Sequence, residues 1–205
     1  MNSPDSKQRI DKLKHLQAWE THTARLHGGW LPAIRPWEAK HEVGLHLWQD
    51  LETSREIRTR LWELRVNQPD RSAVTDAVLP AIRVLARAQH DFELIAGIYL
   101  GVKQALAQAY RDYLAETHAT WDAPSIDILT RAASRKESQI EWAEAYLQQV
   151  ASKETDQHLV QRWTTFTREL VEATGTLTSK TPPVELPTPP PGYLSLIPIL
   201  KPTRP

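Results

Sequence analysis

The stretch DAPSIDILTRAASRKESQIEWAEAYL, residues 122–147, decides the fold. Asp122-Ala123-Pro124 is a helix start, because proline suits the first turn, where its missing N–H goes unused. Ile126, Leu129, Ala133, Ile140, Ala143 and Leu147 then recur at three- and four-residue spacing, giving a helix over about 124–150 with one apolar face. Lys136 stands inside that apolar row. A cation on the inward face of a long helix implies a partner carboxylate on a neighbouring one, and Glu52, Glu93 and Glu141 are the candidates read from the sequence.

The same periodicity extends outward in both directions. Helices are expected over 4–27, ended by Gly28-Gly29; over 36–66, ended by Asn67-Gln68-Pro69-Asp70; over 73–87, kinked or split at Pro80; over 88–118; and over 152–174, ended by Gly175. In the second, Trp37, His41, Leu45, Trp48 and Glu52 form one face and Val43, Leu47, Leu51 and Ile57 another, which suits a central helix. Gly97, Gly101 and nearby alanines leave room for a close neighbour. Trp48, Trp62, Trp142 and Trp163 fall on apolar stripes and read as core; Trp30, Trp37 and Trp121 read as packing at helix junctions.

Breakers are scarce until the end. The chain has 205 residues, 7 glycines and 15 prolines, and the prolines crowd into KTPPVELPTPPPGYLSLIPILKPTRP, residues 180–205. That density excludes helix there. The expected organisation is an all-α bundle over 1–178 and a proline-rich C-terminal arm over 179–205. Tyr193–Leu200 is too apolar for a solvated tail, so the arm is expected to dock on the bundle, on a second protomer or on a protein partner.

Composition removes several classes of function. Basic and acidic residues balance at 25 each, which argues against holding nucleic acid by bulk charge. There is no cysteine, hence no disulfide and no thiolate chemistry. No apolar run reaches the roughly 20 residues of a membrane helix, and the polar start MNSPDSKQRIDKLK lacks a signal-peptide core, so a cytoplasmic protein is expected. Phosphate-binding glycine loops and a nucleophile elbow are missing too. Arg55, Arg58, Arg60 and Arg65, interleaved with Glu52, Glu56 and Glu63, read as a salt-bridged solvated face.

A bundle of long helices can hold a carboxylate-bridged metal pair, built from a glutamate on each of two helices and a Glu-x-x-His on each of two more. Glu38-Ala39-Lys40-His41 is one literal Glu-x-x-His, and Glu52, Glu93, Glu137 and Glu141 are further candidate ligands for iron or manganese.

Three stretches, WEAKHEVGLHLWQDLETSREIRTRLWELR (37–65), DFELIAGIYLGVKQALAQAYRDYL (91–114) and the opening segment 122–147, resemble an uncharacterised bacterial branch of the ferritin-like superfamily. The resemblance covers a little over half the chain and implies a ferritin-like antiparallel bundle with an extra N-terminal helix. It also implies a metal site at which this sequence departs from the pattern. Lys136 and Gln139 stand where the family has a bridging carboxylate and a histidine, and Gln49 and Thr53 where it has a glutamate and a histidine. A protonated lysine offers no lone pair and repels a cation. The leading expectation is a non-catalytic binding or assembly protein without a cofactor, its metal site lost. The alternatives are a di-iron or di-manganese oxidase or hydroxylase using Glu38, His41, Glu52, Glu93, Glu137 and Glu141, and a binder of hydrophobic small molecules in the core near Gly97 and Gly101.

Overall fold

A computed structural model describes residues 6–69, 73–174 and 186–190. Every regular element among them is helical: α1 (Ser6–Trp30), a 3-10 turn (Leu31–Ala33), α2 (Trp37–Glu63), α3 (Ala73–Leu85), α4 (Asp91–Ile95), a π-helical segment (Ala96–Lys103), α5 (Gln104–Glu116), α6 (Ala123–Val150) and α7 (Glu154–Ala173). No helix among the described residues is long and apolar enough to cross a membrane.

α1 lies along α2, and α6 packs against α2, α5 and the π segment. α7 covers the outer side of the π segment, and α3 closes over α1. The core between them holds Leu13, Leu16, Trp19, Val43, Ile57, Leu129 and Leu147, with Trp163 and Leu170 from α7.

Several boundaries differ from the sequence reading. α1 runs through Gly28-Gly29 to Trp30. Glycine costs a helix about 1 kcal/mol without forbidding it, and a Cβ on Gly28 would lie 3.9 Å from Leu47 Cδ2 on α2. α3 continues through Pro80. The expected helix over 88–118 starts at Asp91, where the Glu93 carboxylate accepts the backbone N–H groups of Gln89 and His90 at 2.9 and 3.0 Å. It then widens into the π segment, which moves the following side chains to a new phase. After α2 the chain reverses with Arg65 and Gln68 both at positive φ, 63° and 51°.

α2 corrects the expectation of two buried faces. Val43, His46, Asp50, Ile57 and Leu61 are inside, whereas Trp37, Leu45, Trp48, Leu51 and Trp62 are exposed. Of the tryptophans read as core, Trp163 is buried and Trp142 half-buried, but Trp48 and Trp62 face outward. At the junctions Trp30 packs on the core, while Trp37 and Trp121 are about three-quarters exposed, at 73% and 75%.

The two core glycines do receive a close neighbour. A Cβ on Gly97 would lie 2.6 Å from Trp163 Nε1, and one on Gly101 would lie 2.4 Å from Thr167 Cγ2. Trp163 and Thr167 of α7 therefore lie directly against these two glycines. Of the arm, residues 186–190 form no regular element, and Leu186 packs on the core. The apolar run Tyr193–Leu200 lies outside the described residues.

Candidate functional site

Four helical lengths each send a charged side chain to one point in the interior. Glu20 comes from α1, Asp50 from α2, Lys103 from the end of the π segment and Lys136 from α6. All four are fully buried. Helical spacing places them there. Leu13, Leu16, Glu20, Thr23 and His27 form one stripe of α1, and Val43, His46, Asp50, Thr53 and Ile57 one stripe of α2. Tyr99 and Lys103 are a turn apart, as are Lys136 and the residues that flank it at Ala132 and Ala133.

Lys136 Nζ donates to Asp50 Oδ1 at 2.5 Å and to Glu20 Oε2 at 2.8 Å. Lys103 Nζ sits 2.9 Å from Asp50 Oδ2 in a charge contact and donates to Gln139 Oε1 at 2.7 Å. The Gln139 amide donates onward to Gln49 Oε1 at 2.8 Å. Tyr110 donates its hydroxyl to the other oxygen of Glu20. The Lys103 ammonium also lies over the Tyr99 ring, 4.2 Å from its centroid. Two carboxylates thus face two ammonium groups, and the cluster balances its own charge.

Two histidines line it. His46 shares a 2.8 Å hydrogen bond between its Nδ1 and the Tyr99 hydroxyl, and its ring meets Trp142 edge-on. His27 is fully buried with Nδ1 3.6 Å from Asp50 Oδ2, and neither ring nitrogen has a hydrogen-bond partner.

The electrostatics follow from burial and neighbours. Burial alone would raise Asp50, but the ammonium groups of Lys103 and Lys136 overturn that and hold it well below the usual carboxylate range. Burial raises Glu20, with Lys136 opposing and Asp50 assisting. Burial would lower Lys136, yet Asp50 and Glu20 together raise it. Lys103 goes the other way: burial lowers it to about 8, Asp50 offsets only part, and Lys136 repels it. Burial and the nearby Lys103 push His27 down to about 4 and His46 down to about 3, so both rings are neutral at pH 7.

Lys136, Gln139 and Gln49 are at this centre, and Thr53 is buried beside it, with its hydroxyl donating to the Gln49 carbonyl. The partners of Lys136 are Glu20 and Asp50, which corrects the expected Glu52, Glu93 or Glu141. The six residues read as metal ligands are not brought together. Glu38 and His41 are exposed on the outer side of α2. Glu52 pairs with Arg55 and Glu137 with Arg111, both at the surface. Glu93 receives the backbone at the start of α4. Glu141 is exposed beside Gln104 and Arg111.

Iron or manganese, implied by the family resemblance, does not fit the donor set that does converge. Its two carboxylates are already neutralised by two ammonium groups within 3 Å, neither of which can ligate while protonated. Among the described residues no group of three histidine or acidic side chains is arranged to hold a metal ion. Compared with known proteins, the chain matches no family model, no curated protein and no solved structure.

Proposed function

We propose that this chain is a ferritin-like helical bundle in which a self-neutralising ion cluster stands in place of a metal centre, and that it acts in binding or assembly without catalysis. One observation carries the reading: Lys136 Nζ bridges Glu20 and Asp50, at 2.8 and 2.5 Å, in the middle of four helices. A divalent cation would occupy the same kind of position between inward carboxylates. The ammonium group supplies the positive charge those carboxylates need and offers no open coordination position, no redox couple and no Lewis acidity. Gln139 and Gln49 complete the exchange by pairing with each other, where the resemblance puts a histidine and a glutamate.

The test is to reverse the exchange. Lys136→Glu combined with Gln139→His puts a carboxylate and an imidazole back at the centre. Melting of the full chain, with and without Fe(II) or Mn(II) under anaerobic conditions, is the readout, because a ligand that binds only the folded state raises the melting temperature. The expected result is a metal-dependent rise in the double variant and none in the unsubstituted chain. A rise in the unsubstituted chain, or none in the variant, overturns the proposal; the first would revive an oxygen-activating di-metal enzyme.

A further inference from the structure

The largest unexplained feature of the surface is the outer face of α2. Trp37, Trp48 and Trp62 are 73%, 58% and 54% exposed, and Leu45 and Leu51 beside them are exposed as well. At 3.6 residues per turn the three tryptophans fall within about 40° of one another round the helix, so they form one line along its length. Isolated apolar residues on a surface are ordinary; three exposed tryptophans on one helix face, even with polar residues between them, point to an interaction site. Taking roughly 250 Å2 for a whole tryptophan and 180 Å2 for a leucine, these five side chains expose on the order of 600 Å2. A stable interface needs about 800 Å2 per partner, so the anchors alone supply most of it.

The pattern also names the partner. Positions 37 and 62 are equidistant from the midpoint between 49 and 50, and so are 48 and 51. A two-fold interface must be self-complementary, residue i meeting j while j meets i. Two antiparallel copies of α2 centred on that midpoint would set Trp37 against Trp62 and Trp48 against Leu51, each contact made twice. The charge on the face is largely settled within each copy. Arg55, on the line of the tryptophans, is paired with Glu52, and the Arg58 guanidinium stacks 5.4 Å over the Trp62 ring. We propose that the chain is a two-fold homodimer joined through antiparallel α2 helices, with the tryptophan line as its buried core.

The chain has no cysteine, which makes the register directly readable. Sedimentation equilibrium of the full chain is expected to give twice the 23.4 kDa of one copy. Trp48→Lys, at a position more than half exposed, is expected to weaken association by at least a hundredfold or so while far-UV circular dichroism stays unchanged. His41→Cys and Thr59→Cys lie on the same exposed face at nearly matching distances from the midpoint. Mixed and mildly oxidised, they should form a cross-linked pair, whereas each alone should not, its two copies being about 25 Å apart. A monomer at tens of micromolar, a dimer indifferent to Trp48→Lys, or self-linking of either cysteine variant alone would overturn the proposal.

Discussion

Lys136 Nζ lies 2.5 Å from Asp50 Oδ1, with both side chains out of contact with solvent. Removing one partner of a buried pair leaves an uncompensated charge and typically costs 3–5 kcal/mol. Lys136→Met is therefore expected to lower the melting temperature by roughly 6–20 °C, since 1 kcal/mol corresponds to about 2–4 °C at this chain length. Differential scanning calorimetry at pH 7 checks it. An unchanged or higher melting temperature would show that the pair is not required.

The order of the lysines is a second expectation. Lys103→Met leaves Lys136 holding both carboxylates, whereas Lys136→Met leaves Glu20 with only the Tyr110 hydroxyl. Urea unfolding should rank Lys103→Met as the milder change. Glu20→Gln added to Lys136→Met should recover part of the loss, because the group left uncompensated is then neutral.

Acid should act through the buried histidines. Burial holds His27 at about 4 and His46 at about 3, against 6.5 for an ordinary imidazole. The unfolded chain therefore takes up protons near pH 6.5 that the folded chain refuses, and stability falls as pH drops from about 6.5 toward 4. Burial lowers His15 and His22 too, which adds in the same direction. Asp50, held low, contributes only below its unfolded value of 3.8, and Glu20, raised by burial, opposes the trend near its own. For His27 the loss is at most about 3 kcal/mol. His27→Phe should flatten the fall, measured by urea unfolding at a series of pH values.

The glycines separate packing from propensity. Gly101→Ala drives a methyl against Thr167 and should cost about 1–3 kcal/mol. Gly29→Ala meets nothing within 4 Å inside α1 and should be neutral or stabilising by up to about 1 kcal/mol. Thermal melting distinguishes the two, and Thr167→Ala should relieve Gly101→Ala.

The helices were legible from spacing and breakers, and so was the all-α class, because tertiary packing reinforced what periodicity already favoured. The inward position of Lys136 was legible for the same reason: an apolar row surrounds it. Its partners were not. On α1 the apolar row runs through Trp19 and past Glu20, although Glu20 is four residues after Leu16 and seven before His27. On α2 the row runs through Leu47 and Leu51, one residue out of phase with His46 and Asp50, because leucines outweigh an aspartate in hydropathy. Only contact with a lysine on another helix makes an aspartate a core residue. Lys103 continues the buried row Tyr99, Leu106, Tyr110 and Tyr113 at three- and four-residue spacing, but a lysine carries no hydropathy signal for an inward position. Trp48 and Trp62 read as core because hydropathy cannot tell an inward stripe from an outward apolar one.

Elemental mass spectrometry on the full chain, purified after expression with iron and manganese supplied, tests the central claim most directly. With Lys103 and Lys136 neutralising Asp50 and Glu20, neither metal should be present in stoichiometric amount. One or two ions per chain, lost on Asp50→Asn or Glu20→Gln, would contradict the account and put a working metal centre where the ion cluster stands.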